Sequence, residues 1–173
     1  KQLGLSSVVY PGAQHTRFQH SLGGFYLMTE AIEQLRRKGH FIFDSEAEAV
    51  KAAILLHDIG HGPFSHVLEH TIVEGISHEA ISLALMKKMN QEMDGALNLA
   101  IEIFKDQYPS KYLHQLVSGQ LDMDRLDYLR RDSFFTGVPE GSIGSARIIK
   151  MLNLKDDRLV VDEKGIYSIE NFL

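Results

Sequence analysis

A histidine and an aspartate stand side by side at the end of an apolar stretch, in the run Leu55-Leu56-His57-Asp58-Ile59. Adjacent residues of a helix point about 100° apart, because an α-helix has ~3.6 residues per turn, so both side chains can reach one ion only if it lies beside the helix end. Gly60 and Gly62 follow, and they keep side-chain bulk away and allow the backbone to turn. An imidazole and a carboxylate together suit divalent metals such as Mn, Fe, Ni, Zn or Mg. The pair therefore predicts a metal ion beside the end of this helix.

Two ligands are too few to hold such an ion, and two other segments offer candidates. His20 lies in the run Arg17-Phe18-Gln19-His20-Ser21, and Asp124 lies in Leu121-Asp122-Met123-Asp124-Arg125. Two imidazoles and two carboxylates would leave open positions on an octahedral ion, where a water and a phosphate oxygen would sit. Each residue alone has a plainer interpretation, His20 as a hydrogen-bonded core histidine and Asp124 as an exposed helix carboxylate paired with a Lys or Arg. The residues by themselves leave both interpretations open.

The spacing of nearby charged residues suggests which of them belong to the candidate site. Arg17 lies three positions before His20 and shares its helix face, which favours a phosphate contact over solvent exposure. Asp127 and Arg131 are spaced i and i+4, which better fits a structural ion pair. Only Arg17 is therefore added to the candidate site.

The other histidines divide by their surroundings. His61 and His66 flank Pro63-Phe64, where each could act in catalysis or merely cap a short helix. Four others have no supporting pattern and are interpreted as surface or core residues: His15, His40, His70 and His114. The position of a histidine, more than the total of nine, thus separates the candidates.

The apolar residues recur mostly at helical spacing, so the chain is predicted to be largely α-helical. A first helix should cover residues 16–37, with Gly39 as its stop signal. Ser45 and Glu48 have the spacing of a capping box, which predicts a second helix over about residues 46–57.

Proline and glycine interrupt this pattern after the second helix. Pro63 is well placed to open a short helix over residues 63–70. Further helices are expected over residues 78–89, 95–104, 109–117, 123–135 and 142–152. Near the C-terminus, residues 159–161 and 166–169 have strand composition around a turn at 162–165, which predicts a β-hairpin. The predicted fold class is all-α, with a small C-terminal β-hairpin.

Composition excludes several classes of protein. The 173 residues suffice for one domain with a hydrophobic core, and 44% hydrophobic with 24% charged residues is ordinary for a globular protein. No apolar run approaches the ~20 residues that span a bilayer, and the net charge of −5 argues against nucleic-acid binding. The absence of cysteine excludes disulfides and thiolate ligands and fits a cytoplasmic protein. Because the chain begins at Lys1 without an initiator Met, we expect residues 1–173 to be a single domain from a longer chain.

Several blocks, taken in order along the chain, resemble the HD superfamily of metal-dependent phosphohydrolases. Within that superfamily the sequence is similar to the deoxynucleoside triphosphate triphosphohydrolases. Among these it most resembles the bacterial relatives of the human SAM-and-HD-domain dNTPase. The resemblance covers nearly the whole chain and is carried by Gln2-Leu3-Gly4, Tyr10-Pro11-Gly12-Ala13, Arg17-Phe18-Gln19-His20-Ser21-Leu22-Gly23, His57-Asp58-Ile59-Gly60-His61-Gly62-Pro63-Phe64-Ser65-His66, His78-Glu79 and Asp122-Met123-Asp124-Arg125-Leu126-Asp127-Tyr128-Leu129-Arg130-Arg131-Asp132. The long block from His57 to His66 is the most specific of these.

The resemblance implies a role for each matching position. The metal ligands would be His20, His57, Asp58 and Asp124. The residues around the reacting phosphate would be His61, His66, Glu69 and His78, although the family most often has Asp where Glu69 stands. The substrate contacts would be Gln2 and Leu3 at the deoxyribose, Arg17 at phosphate, and Tyr128 and Asp132 along the sugar and phosphate pocket. An activating nucleotide between subunits would contact Val9, Tyr10 and Arg147.

The leading hypothesis is hydrolysis of a deoxynucleoside triphosphate to the deoxynucleoside and inorganic triphosphate. It implies one divalent metal, a second Mg²⁺ with the substrate, and a homo-oligomer that responds to nucleotide. His66 would be the general acid that protonates the 5′ oxygen. One alternative keeps the metal site but takes a nucleoside monophosphate or another phosphoester. The other alternative is a nucleotide-sensing module without catalysis.

Overall fold

The computed structural model of the chain describes residues 1–62, 77–141 and 143–170. Within these ranges the chain forms eight α-helices and one two-stranded antiparallel sheet. The helices are α1 (Arg17–Arg37), α2 (Asp44–Leu56), α3 (His78–Glu92), α4 (Asn98–Phe104), α5 (Lys111–Val117), α6 (Met123–Thr136), α7 (Ser145–Met151) and α8 (Ile166–Glu170). The strands are β1 (Leu152–Lys155) and β2 (Arg158–Val161), and short 3-10 turns cover Ser6–Val8, Pro139–Gly141 and Glu163–Gly165. The prediction of a mostly helical fold with a small hairpin is confirmed.

Side-chain hydrogen bonds define the start of helix α1, and a glycine with positive φ marks its end. At its N-terminus Thr16 Oγ1 accepts a hydrogen bond from the Gln19 N–H, and Gln19 Oε1 accepts one from the Thr16 N–H. This reciprocal pair satisfies two backbone donors that the helix itself cannot use. At the other end Gly39 has a φ of +90°, a conformation that glycine adopts without a steric penalty.

The buried stripe of α1 runs from the hydrophobic core into the candidate site. Met28, Ala31 and Leu35 are fully buried in the core, and α1 contacts α2, α6, α7 and β1. Gly24 and His20 continue the same stripe toward the N-terminus at four-residue intervals, and His20 is 0% exposed. Because residues three or four apart share a helix face, the packing that buries Leu35 also directs His20 inward.

Helix α2 carries a matching stripe to the same place. Val50, Ala53 and Ile54 are 0% exposed, and His57 follows three residues after Ile54, just beyond the helix end. A side chain at position 24 of α1 would place its Cβ only 3.2 Å from Ile54 Cγ1, so Gly24 allows the two helices to approach closely. This close contact brings the two histidines toward each other.

Helix α6 lies along α1 and completes the site. Asp122 caps its N-terminus, where the carboxylate accepts hydrogen bonds from the Arg125 N–H at 2.6 Å and the Gly119 N–H at 2.8 Å. Met123 and Leu126 are fully buried in the core. Asp124, in the first turn, is thereby presented on the side that faces α1 and α2.

The predicted start of α2 is wrong. The helix begins at Asp44, and Glu46 Oε2 accepts a hydrogen bond from the Phe43 N–H at 2.9 Å. The other oxygen of Glu46 accepts from the Tyr108 hydroxyl at 2.9 Å, which gives this buried carboxylate two partners. Glu48, predicted to close a capping box with Ser45, is instead 3.6 Å from Lys51 Nζ.

The hairpin lies earlier in the chain than predicted. Leu152 of β1 pairs with Val161 of β2, while residues 166–170 are helical instead of forming the second strand. The turn is Asp156-Asp157, with φ values of +50° and +59°, a conformation that aspartate tolerates better than most residues. The expected turn contained Gly165, but this glycine is buried, and a Cβ there would lie 2.7 Å from Val161 Cγ1. Close packing, and not a hairpin turn, therefore accounts for this glycine.

The remaining predicted helices are found with shifted ends. Helix α3 extends three residues beyond the predicted end, α4 and α5 begin later, α6 ends one residue later, and α7 stops at Met151 because Leu152 enters β1. The short helix predicted over residues 63–70 lies outside the described residues. None of the described helices combines the length and apolar character that crossing a bilayer requires.

The α1 stripe makes a testable contribution to stability. Leu35 is 0% exposed, so Leu35→Ala should lower the free energy of unfolding by about 2–5 kcal/mol through lost burial and a residual cavity. Leu22→Ala, the same change on the same helix at a residue that is 45% exposed, should cost less than about 1 kcal/mol. Urea denaturation followed by circular dichroism measures both, and equal losses would contradict the assigned core.

Candidate metal centre

The two buried imidazoles are each anchored through Nδ1. His20 Nδ1 lies 2.8 Å from Asp127 Oδ2, and His57 Nδ1 lies 2.6 Å from the carbonyl oxygen of Ile54. A carboxylate and a carbonyl oxygen can only accept, so each ring carries a hydrogen on Nδ1. The two rings meet edge to face, with centroids 5.4 Å apart. Their Nε2 atoms are buried and have no hydrogen-bond partner among the described residues.

Asp124 stands opposite these two nitrogen atoms. Its Oδ1 lies 2.9 Å from His20 Nε2 and 3.2 Å from His57 Nε2, without the geometry of a directed hydrogen bond. The three donor atoms lie within 4.8 Å of one another. A cation among them would give both buried nitrogens a partner, and two imidazoles with a carboxylate are a common ligand set for divalent transition metals. Among the described residues, this group therefore fits a divalent metal.

Asp58 lies at the edge of this group. Its Oδ1 is 3.4 Å from His57 Nε2, and its Oδ2 is 3.9 Å from His20 Nε2. The same carboxylate accepts a hydrogen bond from Arg17 Nη1 at 2.7 Å and lies 3.3 Å from His61 Nε2. Two basic residues thus hold Asp58 next to the group formed by His20, His57 and Asp124.

The pKa values show that the group favours positive charge at its centre. Burial of His20 lowers the pKa of its imidazole, because it disfavours the charged form. The carboxylates of Asp124 and Asp127 have a larger opposite effect, and together they raise the pKa of His20 to about 9. Burial also opposes ionisation of Asp124, but its close contacts with the His20 and His57 imidazoles lower its pKa to about 2. Asp58 responds in the same way, because His61, His57 and Arg17 hold its pKa well below the usual range despite burial. A divalent cation would take the place of the protons that the imidazoles otherwise bind.

Asp127 and Arg131 support His20 from behind. Arg131 donates from Nε and Nη2 to the two oxygens of Asp127, at 2.8 and 2.9 Å, so the predicted ion pair is confirmed. The same carboxylate orients His20, a role that the i and i+4 spacing did not reveal. Gly23 is required beside this network, since a Cβ there would lie 1.9 Å from Asp127 Oδ1.

Helix α3 fixes the turn that carries His57 and Asp58. The hydroxyl of Ser82, which is 0% exposed, donates to the His57 carbonyl at 2.6 Å and accepts from the Gly60 N–H at 2.9 Å. A Cβ at Gly60 would lie 2.2 Å from the His78 carbonyl oxygen, so only glycine fits this approach. His78, at the start of α3, stacks on His61 with centroids 3.9 Å apart.

A cavity of about 650 Å³ opens beside the metal group. Its volume lies in the ~300–1,000 Å³ range of small-molecule sites. Along α6, Asp124, Tyr128 and Asp132 line it at four-residue intervals, which place them on one helix face. The other predicted site residues that line it are Gln2, Leu3, Arg17, Asp58, His61 and His78.

The remaining predicted site residues fall into two groups. His66 and Glu69 fall outside the described residues. Val9, Tyr10 and Arg147 do not line the cavity; Val9 is 73% exposed, Tyr10 is 41% exposed, and Arg147 donates to Ser168 Oγ at 3.1 Å. Their assignment to an activating nucleotide stays a prediction.

The comparison with known proteins identifies the class of this helical domain. A family model described as HD domain matches residues 17–132. These bounds enclose the four predicted metal ligands and the α6 face that lines the cavity. The chain belongs to the HD domain family.

Three relatives indicate the range of similarity. A phosphohydrolase from Bacteroides thetaiotaomicron VPI-5482, known as a crystal structure, is 81% identical with a TM-score of 0.97 over 99% of this chain and 43% of that one. The uncharacterized protein YwfO of Bacillus subtilis (strain 168) is 34% identical over 100% of this chain and 41% of its own length. The deoxynucleoside triphosphate triphosphohydrolase SAMHD1 homolog of Dictyostelium discoideum is 27% identical over 98% of this chain and 36% of its own length. The chain thus spans less than half of each of these relatives.

Metal binding should depend on the three donor atoms. After removal of bound metal and dialysis against Mn²⁺, the wild type should retain about one ion per chain, and His57→Ala should retain almost none, because a buried donor is lost. Asp58→Ala should also lower the metal content. His114→Ala, at a half-buried histidine bonded to the Ile103 carbonyl, is the control and should bind metal normally. Elemental analysis decides; equal content in all four proteins would refute the site.

The support from Asp127 should be visible in metal affinity. Asp127→Asn keeps the shape of the side chain but removes the charge that orients His20, so the Kd for Mn²⁺ should rise about 10- to 100-fold. Asp162→Asn, at a carboxylate bonded to Lys38 and Asn153, makes the same change away from the site. Isothermal titration calorimetry compares the two variants, and an unchanged affinity in Asp127→Asn would contradict the assigned role.

Proposed function

We propose that this chain is the metal-dependent core of a phosphohydrolase that cleaves a deoxynucleoside triphosphate into the deoxynucleoside and inorganic triphosphate. The observation that carries the proposal is the pair of buried Nε2 atoms, on His20 and His57, that converge on Asp124, a residue that lines the cavity. Buried polar atoms without a partner cost free energy, so their retention is expected where they bind something. A vestigial, purely sensing module would have no need of them.

The names of two relatives support the reaction class and the substrate. The similar protein from Bacteroides thetaiotaomicron is described as a phosphohydrolase. The similar protein from Dictyostelium discoideum is described as a deoxynucleoside triphosphate triphosphohydrolase. The cavity beside the metal group is large enough for a small molecule of this kind.

A divalent metal held by His20, His57, Asp58 and Asp124 would lower the pKa of a bound water and polarise a phosphate oxygen. Arg17 supplies the complementary charge from the cavity wall. Its guanidinium donates to Asp58 Oδ2, and the planar geometry of a guanidinium suits the oxygens of a phosphate. Arg17 therefore acts at both the metal ligand and the substrate.

His61, His66 and His78 carry the proton and charge chemistry in this proposal. The stacked pair of His61 and His78 lines the cavity next to Asp58, where imidazole N–H groups can stabilise negative charge that develops on phosphate. The family resemblance assigns His66 as the general acid that protonates the departing 5′ oxygen. Glu69 follows it three positions later in the sequence.

Another part of the cavity receives the sugar in this proposal. Gln2, Leu3, Tyr128 and Asp132 line the cavity and offer an amide, a phenol and a carboxylate to a ligand hydroxyl. A second Mg²⁺ would accompany the triphosphate. The exposed residues Val9, Tyr10 and Arg147 are the proposed contacts of an activating nucleotide in a homo-oligomer.

Product identification tests the reaction. The metal-loaded protein should convert a deoxynucleoside triphosphate to deoxynucleoside and tripolyphosphate, detected by ion chromatography. In ¹⁸O-labelled water the label should enter the tripolyphosphate, because water attacks the α-phosphorus and the 5′ oxygen leaves with the nucleoside. Asp124→Asn is the control and should lose turnover with its metal.

Other products would point to the alternatives. Orthophosphate from a nucleoside monophosphate, without tripolyphosphate from any triphosphate, would favour the alternative that keeps the metal site but takes a nucleoside monophosphate or another phosphoester. Nucleotide binding by the metal-loaded protein without any turnover would favour the sensing module.

A further inference from the structure

His15 is a buried histidine that no part of the proposed mechanism uses. Its side chain is 0% exposed, and its Nε2 lies 2.6 Å from Asp132 Oδ1. The imidazole stacks on Phe135 with centroids 4.7 Å apart and planes 20° from parallel. Its other nitrogen, Nδ1, has no hydrogen-bond partner among the described residues. The contact with Asp132 is thus its one described side-chain hydrogen bond.

The backbone of His15 holds a second part of the cavity wall. The Gln2 N–H donates to the His15 carbonyl oxygen at 2.9 Å. His15 therefore contacts Gln2 through its backbone and Asp132 through its ring, and both of these residues line the cavity while His15 does not.

The segment that carries His15 is seated closely against the end of α6. A Cβ at Gly12 would lie only 2.2 Å from the Phe135 carbonyl oxygen, so this approach needs glycine. Ala13, between Gly12 and His15, is 1% exposed. Backbone packing and ring stacking on Phe135 together place the imidazole beside Asp132, which makes the contact a built feature of the fold.

We propose that His15 is a positioning residue that fixes Asp132 and Gln2 relative to each other, so that Asp132 presents one directed carboxylate oxygen to a hydroxyl of the bound ligand. With Oδ1 engaged by His15, the other oxygen of Asp132 is the one assigned to the ligand; the side chain is 23% exposed and lines the cavity. Burial raises the pKa of Asp132, and the contact with His15 opposes that rise, so the imidazole also helps to keep an acceptor there.

This inference rests on the proposed function, because it takes the ligand to be a nucleotide. The ribose of a 2′-deoxynucleotide has one free hydroxyl, at the 3′ carbon. His15 should therefore matter for a 2′-deoxynucleoside triphosphate and not for its 2′,3′-dideoxy analogue, which lacks that hydroxyl. A merely structural histidine would affect both ligands alike.

Kinetics of three metal-loaded variants against these two ligands test the inference. His15→Phe keeps the ring on Phe135 but removes the donor, and it should raise the KM for the deoxy substrate about tenfold, with kcat changed less. The KM for the dideoxy analogue should stay within about twofold. His15→Gln, whose amide can donate to Asp132, should recover most of the lost affinity.

His40→Phe is the matched control. His40 is a half-buried histidine whose Nε2 lies 2.6 Å from Asn153 Oδ1, so this variant loses a similar hydrogen bond away from the cavity. It should lower the Tm but leave the KM for both ligands unchanged. Metal content, measured in each variant, should match that of the wild type.

Three outcomes would overturn the inference. The first is a KM for the deoxy substrate that His15→Phe leaves unchanged, and the second is an equal rise in KM for both ligands. The third outcome is wild-type protein that binds neither nucleotide, which refutes the function and the inference together.

Wild-type protein that binds both ligands but turns over neither would refute the proposed function alone. The inference is then tested by calorimetric Kd values for the same two ligands, with the same expected ratio between variants.

Discussion

The structure depends on the burial of two imidazole Nε2 atoms that have no hydrogen-bond partner among the described residues. A buried polar atom left without a partner costs about 1–3 kcal/mol. The hydrophobic stripes of α1 and α2 impose this burial, since His20 extends one stripe and His57 extends the other. Asp124 faces both nitrogens at 2.9 and 3.2 Å, and a cation among the three atoms would relieve the cost. The same packing that stabilises the fold therefore also assembles a candidate metal site.

Close backbone approaches set the accuracy of this arrangement. Gly23 leaves room for the Asp127 carboxylate behind His20, Gly24 allows α1 and α2 to meet, and Gly60 admits the start of α3. Ser82 then fixes the turn that carries His57 through two buried hydrogen bonds. Because these supports lie in the packed interior, helix packing and buried side-chain hydrogen bonds together orient the donor atoms.

The sequence predicted the parts of the site that follow local spacing. The helical period predicted most of the helices, and three of the four candidate ligands, His20, His57 and Asp124, lie together in the structure as a group that could hold a metal ion. Contacts between distant residues were missed, because nothing in the sequence marks them: His15 and Asp132 are 117 positions apart. Asp127 was interpreted only as the partner of Arg131, since its i and i+4 spacing hides the contact with His20. The hairpin was misplaced because a buried glycine resembled a turn, while two aspartates with positive φ form the actual one.

The most direct test of a metal centre built by the core helices is anomalous diffraction from crystals of the Mn²⁺-loaded protein, measured on both sides of the metal absorption edge. The account predicts a single strong peak at about 2.0–2.3 Å from both His20 Nε2 and His57 Nε2, with a carboxylate oxygen of Asp124 at a similar distance. A peak located elsewhere, or no peak beside these atoms in protein that carries metal by elemental analysis, would contradict it.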